Sequence, residues 1–301
     1  IDEEPKENAY IKSFDGLNLH ATIIGGDFDK TVILFHGYRS FAKFDFACMV
    51  PFYKSIGMNV IMVDHRAHGE SEGRLITYGV KERYDARSWV EYAKEKFPNT
   101  KIFMHGVSMG AATTLMSSDM VEGVSGIIAD CAFTSPKAII QRVAKTNMHL
   151  PGWLASPVGL WARIFGGFDY SYSTKQALAK TKVPILFIHG AKDDFVPPYM
   201  TDENYEACAS KKQKLILFVE VKARTVDEDL YSPFGTPASA VTKEKQQRTL
   251  AAARGYMHSN KKYFNYILAH KPTFYSTYED KKKSAKAKAL TDFLCYYFVA
   301  M

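Results

Sequence analysis

The chain has 301 residues, of which 47% are hydrophobic, 14% aromatic and 24% charged, and its net charge is +7. This length and apolar content predict a globular fold with an ample core. No apolar run reaches about 18 residues, which excludes a membrane-spanning helix in the visible sequence. The four cysteines are far apart and form no Cys-x-x-Cys pair, so buried free thiols are expected rather than a disulfide framework or a zinc site.

The basic charge is concentrated in two lysine clusters, at 211–214 and 281–288. The second borders a predicted helix, where lysines commonly form a solvated face, so we expect no nucleic acid or membrane contact through these clusters. The visible chain begins at Ile1 without a methionine. The expected location is therefore cytoplasmic, or membrane-anchored or exported if an N-terminal segment precedes it. The oligomeric state is left open.

Strands and helices alternate through the first half of the chain. Apolar, β-branched runs predict strands, and a period near 3.6 predicts helices. The predicted strands cover 9–14, 17–25, 31–35, 59–63, 101–105 and 125–130, and the predicted helices cover 42–56 and 80–96. The link at 25–31 is interpreted as a hairpin turn. The alternation predicts a mostly parallel sheet with helices on both faces.

The segment Gly-Val-Ser-Met-Gly at 106–110 stands between a predicted buried strand and the start of a helix. Its glycines lack the Cβ atoms that would clash in a sharp turn, so Ser108 can expose its hydroxyl above the sheet edge. The helix directs its positive end and the Met109 amide to the same place. We predict that Ser108 is a nucleophile and that Met109 supplies an oxyanion donor. The alternative is an ordinary Gly/Ser-rich turn.

Histidines accompany the ends of two other predicted strands. The strand at 31–35 leads into His36-Gly37-Tyr38, where glycine lets the backbone turn its amides toward a ligand, so the Tyr38 amide is the predicted second oxyanion donor. His36 is expected to bond the loop rather than to carry a proton. His65 and His68 stand three residues apart, but no third ligand has a suitable spacing, so no metal site is expected.

Residues 134–181 interrupt the alternation and are rich in aromatic residues, glycine and proline. They are interpreted as a cap over the active site, which can at the same time provide helical packing at one end of the sheet. The next predicted strand, 183–189, leads to Asp193 and Asp194 in a Gly/Pro-containing loop. An acid after a strand is what a serine hydrolase needs to hold its histidine in the correct tautomer.

Taken in order, these motifs resemble the α/β-hydrolase superfamily, close to the bacterial serine hydrolases that carry a short helical cap. The resemblance covers roughly 10–221 and depends on His36-Gly37 and on the segments 64–71, 106–110 and 189–197. It implies the α/β-hydrolase fold, esterase-type acyl transfer to water and no cofactor. The family's Gly-x-x-Asp-x-x-Val-Pro motif assigns the catalytic acid to Asp193 rather than Asp194.

The sequence departs from the family after the strand predicted at 214–221. Family members turn within a few residues to the catalytic histidine, but 222–226 contain none. The region at about 222–268 is interpreted as an insertion in the histidine loop, which leaves 1–301 as a single domain. His270 matches the family's register before a final helix ending at 294. His258 is the other candidate, although it would need a second insertion.

The predicted catalytic groups are therefore Ser108, Asp193 and His270, with the amides of Tyr38 and Met109 as the oxyanion hole. They are expected to hydrolyse small to medium carboxylic esters through an acyl-enzyme, without a metal or cofactor. A peptidase or amidase of the same fold is the first alternative. A catalytically silent scaffold or interaction protein is the second, because the histidine is displaced from its usual place.

Overall fold

A computed structural model describes residues 6–47, 49–146, 148, 149, 151, 156–190 and 193–209, and four short strands between 215 and 299. The chain divides into two compact units, Ile1–Lys214 and Leu215–Met301. In the described part, no helix combines the length and the apolar character that crossing a bilayer requires.

A mostly parallel sheet is the centre of the first unit. Its described strands are β1 (Glu7–Lys12), β2 (Asn18–Ile24), β3 (Lys30–Phe35), β4 (Met58–Val63), β5 (Lys101–Val107), β6 (Val124–Asp130) and β7 (Ile185–Ile188). They lie in the order β1-β2-β4-β3-β5-β6-β7. Pairing is antiparallel from β1 through β2 to β4 and parallel from β4 to β7.

Helices connect these strands. Those described are α1 (Ala42–Phe46), α2 (Val50–Ser55), α3 (Glu82–Lys96), α4 (Met109–Ser117), α5 (Pro136–Thr146), α6 (Ser156–Trp161), α7 (Thr174–Leu178) and α8 (Tyr199–Ala207). A π-helical segment, Ala162–Gly166, continues directly from α6. The predicted cap at 134–181 therefore contains α5, α6, the π-helical segment and α7.

Strand alternation divides the core between the two faces of the sheet. Val32 and Leu34 of β3 pack with Phe46 of α1 and Tyr53 of α2 in one cluster. Ile33 is also fully buried, and because successive side chains in a strand point to opposite faces, it lies on the side where α3 and α4 contact β3. The α/β-hydrolase fold with helices on both faces is confirmed.

Two local predictions are wrong. The link at 25–31 is not a hairpin turn, because β2 pairs with β4 rather than with β3. The predicted helix at 42–56 is instead the separate helices α1 and α2. Pro51 lies in the first turn of α2, where its missing amide hydrogen costs nothing, whereas in the middle of a continuous helix it would remove a hydrogen bond.

The second unit has four described strands, β8 (Leu215–Ile216), β9 (Phe218–Lys222), β10 (Thr273–Phe274) and β11 (Cys295–Val299). The last three form an antiparallel sheet in the order β10-β11-β9. The strand predicted at 214–221 thus corresponds to β8 and β9. Apart from Lys222 in β9, the predicted insertion at 222–268 lies outside the described residues.

Candidate active site

Ser108 occupies a strained turn between β5 and α4. Its backbone has φ 53° and ψ −111°, and α4 begins at the next residue, Met109. A residue with a Cβ rarely adopts a positive φ, and such strain is concentrated at functional sites. The Ser108 amide donates a 2.8 Å hydrogen bond to the carbonyl oxygen of Asp130, which fixes the turn against the end of β6.

The two glycines of this turn are required by backbone packing. A Cβ at Gly106 would overlap the carbonyl group of Gly110, and a Cβ at Gly110 would overlap the carbonyl oxygens of Phe35 and His36. These neighbours are main-chain atoms, so no rotamer change can relieve the clash. The steric reason for glycine at both positions is confirmed, and it places the start of α4 directly against the end of β3.

The loop after β3, which carries Tyr38, is held by side chains on both sides. Asp45 accepts hydrogen bonds from the Gly37 amide at 2.7 Å and from the Ser40 hydroxyl at 2.6 Å. His68 Nε2 accepts one from the Arg39 amide at 3.1 Å. A Cβ built on Gly37 would lie 3.7 Å from the Ser108 Cβ, so this loop runs beside the nucleophile turn.

The histidines near this loop are structural. His36 Nδ1 lies 2.7 Å from the Gly37 carbonyl oxygen and must donate, while its Nε2 accepts from the His65 amide at 3.1 Å. Both bonds require the neutral ring, and burial lowers the pKa of His36 accordingly. The expectation that His36 bonds the loop is confirmed. His68 likewise donates through Nδ1 to the Arg66 carbonyl oxygen at 2.9 Å, so both of its ring nitrogens are bonded.

Asp193 lies after β7 with its carboxylate oriented by the backbone. Its Oδ1 accepts hydrogen bonds from the amides of Phe195 and Val196, both at 2.9 Å, and its Oδ2 lies 3.6 Å from His189 Nε2. His189 Nε2 also donates to the Val196 carbonyl oxygen at 2.7 Å. In Asp194, the backbone carbonyl oxygen rather than the carboxylate accepts a hydrogen bond, from the Arg142 guanidinium at 3.2 Å. The carboxylate of Asp193 is thus the one that the loop itself orients.

The loops after β5, β6 and β7 meet at the carboxyl edge of the sheet. Besides the bond between Ser108 and Asp130, the Cys131 amide donates to the Ile188 carbonyl oxygen at 2.9 Å. Met109 shares an apolar cluster with Val196 from the Asp193 loop. Sites in parallel sheets form at this edge, so the predicted nucleophile and acid occupy the expected region.

Sequence reasoning missed the two residues that follow each other at the end of β6. Burial raises the pKa of Asp130 to about 6, with a further contribution from the charge of Asp193. Burial also raises the pKa of the Cys131 thiol to about 12, which keeps it protonated and unreactive. Their position at a strand end was the only signal in the sequence, because burial depends on the neighbouring loops. Both candidate histidines, His258 and His270, lie outside the described residues.

Two family models match different parts of the chain. Residues 26–166 match the model described as "Hydrolase_4: Serine aminopeptidase, S33". Residues 206–271 match the model described as "Uncharacterised protein family UPF0102". The second match includes both candidate histidines and the whole of the predicted insertion at about 222–268.

Individual relatives match part of the chain. The uncharacterised protein YqkD of Bacillus subtilis is 31% identical over 185 residues, which is 60% of each chain. The uncharacterised membrane protein YNL320W of Saccharomyces cerevisiae is 26% identical over 170 residues, 56% of this chain and 55% of its own length. The chain therefore spans less than two thirds of these curated relatives.

A solved structure extends the similarity to an enzyme. The Pyrococcus furiosus esterase Pf2001 is 29% identical and superimposes with a TM-score of 0.58 over 70% of this chain and 79% of its own. The hydrolase family model spans the Ser108 turn. Residues 26–166 therefore carry the match to the hydrolase family, and the chain resembles the α/β-hydrolase superfamily.

Proposed function

We propose that this protein is a serine hydrolase that cleaves small to medium carboxylic esters through an acyl-enzyme. The observation that carries the proposal is the positive φ of Ser108 at the junction of β5 and α4, beside the loops that carry Tyr38 and Asp193. A strained serine at the amino end of a helix is the arrangement that nucleophilic serine hydrolases use. The similarity to an archaeal esterase supports an ester as the substrate.

In the proposed mechanism, Ser108 Oγ attacks the ester carbonyl carbon while a histidine removes the hydroxyl proton. Asp193 orients that histidine through Oδ2, and the amides of Tyr38 and Met109 stabilise the oxyanion. The histidine then protonates the departing alcohol. Water, activated by the same histidine, releases the carboxylic acid and restores Ser108. Each oxyanion donor is worth about 3 kcal/mol, and the general base about 10²- to 10⁴-fold in rate.

His270 is the histidine that we propose for this role, with His258 as its rival. The chain order of serine, aspartate and a later histidine supports either one. Both belong to 206–271, which match a different family model. Accordingly, the reading of 222–268 as an insertion in a single domain stays a proposal, and a separate C-terminal module is its rival.

The first experiment is hydrolysis of p-nitrophenyl esters from acetate to dodecanoate by the wild type and by Ser108→Ala, Asp193→Asn, His258→Ala and His270→Ala. We expect turnover to be lost in Ser108→Ala and His270→Ala, to be strongly reduced in Asp193→Asn, and to persist in His258→Ala. Loss of turnover in His258→Ala but not in His270→Ala would assign the catalytic role to His258 instead of His270. A folded wild type that hydrolyses none of the esters would overturn the ester proposal.

Two rival functions rest on specific observations. The description of the matching family model names a serine aminopeptidase, so an aminoacyl p-nitroanilide should be compared with the matching p-nitrophenyl ester; faster turnover of the anilide would favour the peptidase. A catalytically silent protein is favoured by the position of both histidines in 206–271. Failure of a fluorophosphonate probe to label Ser108 in folded protein would support that alternative.

For location, the cytoplasmic and membrane-associated alternatives both remain proposals. The name of the yeast relative, an uncharacterised membrane protein, supports the second. Recovery of the protein in the membrane fraction of cells, and its release by high salt or by detergent, would distinguish an electrostatic association from an anchored one.

A further inference from the structure

The helix that runs through α6 and the π-helical segment exposes its large apolar side chains and buries its small residues. Ala162 is buried, and a Cβ at Gly159 would come within 3.0 Å of the Tyr170 ring. A Cβ at Gly166 would lie 3.1 Å from the Leu75 side chain. A surface helix of a globular protein normally turns its large apolar residues toward the core, whereas this helix turns them toward solvent.

Four large side chains form the exposed face, which we call the apolar ridge. Leu160 is 64% exposed, Trp161 55%, Ile164 62% and Phe165 72%. The rings of Trp161 and Phe165 lie 5.7 Å apart between centroids, so the exposed surface is continuous rather than scattered. A contiguous exposed apolar surface of this kind marks an interaction site.

Basic residues outnumber acidic ones along the chain around the ridge. Residues 131–168 contain no aspartate or glutamate, whereas they contain the basic residues Lys137, Arg142, Lys145 and Arg163. The acid Asp169 follows the ridge helix, and its pKa is lowered by hydrogen bonds with Ser171 and further by the charge of Arg163. Arg163 is exposed within the ridge helix itself. A second copy docking ridge to ridge would bring the more numerous basic residues of both copies together. An anionic lipid surface would complement both the apolar and the basic side chains.

We propose that the apolar ridge docks this protein on membranes that contain anionic lipid, with its side chains among the upper acyl chains and Arg163 at the level of the phosphates. The position of the helix is consistent with a role at the active site, because Gly166 lies against Leu75 and the neighbouring residues Ile76 and Tyr78 pack in the cluster that contains Met109. The inference stands on the ridge and does not depend on the proposed hydrolase activity.

The test is flotation with vesicles of phosphatidylcholine alone and of phosphatidylcholine with about one third phosphatidylglycerol, using Ser108→Ala protein so that no lipid can be hydrolysed. We expect binding to the anionic vesicles and a blue shift of Trp161 fluorescence that Trp161→Phe removes. Trp161→Asp with Phe165→Asp should weaken binding about tenfold or more, because two aromatic side chains leave the interface. Arg163→Gln should reduce the preference for anionic vesicles.

Phe44→Asp is the matched control, since Phe44 is 74% exposed on α1 and should leave vesicle binding unchanged. Circular dichroism and thermal unfolding show whether each variant is folded. If the Ser108→Ala protein with an intact ridge does not bind to anionic vesicles at low salt, the proposal is overturned. Equal binding to both kinds of vesicle would also overturn it. So would light scattering that shows a dimer in the absence of vesicles, if the ridge variants are monomers and the protein does not bind vesicles.

Discussion

The backbone amide of Ser108 donates a hydrogen bond to the carbonyl oxygen of Asp130, across the boundary between β5 and β6. This bond joins the proposed nucleophile turn to the strand end whose next residue, Cys131, bonds to the end of β7. Three adjacent strand ends are therefore tied together at one edge of the sheet. A change that displaces any of them should affect the others.

Gly110→Ala should destabilise the fold, because its Cβ would overlap the carbonyl oxygens of Phe35 and His36. Backbone must move to make room, so we expect a loss of about 3 kcal/mol or more in the free energy of unfolding, measured in urea. Gly190→Ala is the control, since a Cβ there meets nothing within 4 Å. Equal stability of the two variants would contradict the packing argument.

Asp85→Ala should cost about 3–5 kcal/mol of stability. The buried guanidinium of Arg66 bonds to Asp85 through Nε at 2.6 Å and through Nη2 at 2.7 Å, and removal of the carboxylate leaves that charge poorly compensated. The carboxylates of Asp85 and Asp15 raise the pKa of Arg66. Glu91→Ala removes the exposed pair with Lys94 and should change stability by less than about 1 kcal/mol in the same assay.

Asp130→Asn should stabilise the protein near neutral pH. Burial raises the pKa of Asp130 from 3.8 to about 6, so the folded state binds the proton more tightly than the unfolded state. Stability is therefore lost as the pH rises from about 4 to about 6, by up to about 3 kcal/mol, and asparagine avoids this loss. Below about pH 4 the carboxyl is protonated in both states and the advantage disappears.

The measurement for Asp130 is urea unfolding of the wild type and the variant across this pH range. Asp29→Asn serves as the control, because Asp29 is exposed and, among the residues that the structure describes, forms an ion pair with the neighbouring Lys30. A constant difference between wild type and Asp130→Asn at all pH values would contradict the assignment of the effect to ionisation.

His68→Ala should lower kcat about 10- to 100-fold with little change in KM, if the proposed hydrolysis is correct. His68 Nε2 fixes the Arg39 amide, next to the Tyr38 amide that is proposed to stabilise the oxyanion. If the Tyr38 amide is less well positioned, stabilisation of the transition state decreases more than binding of the ester ground state. His68→Gln keeps an acceptor of similar reach and should recover part of the rate, whereas equal losses in both variants would argue against a positioning role.

The sequence predicted the features whose causes lie within a few residues of one another. The strands of the sheet, the glycine-flanked turn at Ser108 and the acid loop at Asp193 follow from local apolar periodicity and from the steric freedom of glycine. The two wrong predictions, a hairpin at 25–31 and one continuous helix at 42–56, also concern local signals. At 25–31 the expected hairpin does not form because β4 lies between β2 and β3 in the sheet. At 42–56 the helix is divided because Pro51 lies in the first turn of a second helix.

The sequence by itself thus determined the fold class and the turn that presents Ser108, because local sterics and periodicity specify them. Only the tertiary structure decided which groups are buried and which are exposed. The neutral ring of His36, the hydrogen bond between His68 and the Arg39 amide, the raised pKa of Asp130 and the exposed apolar face of the helix at 156–166 all depend on atoms contributed by other segments. Desolvation and hydrogen bonding between such segments have no signature in the local sequence, because the same residues would be solvated if the strands paired in another order.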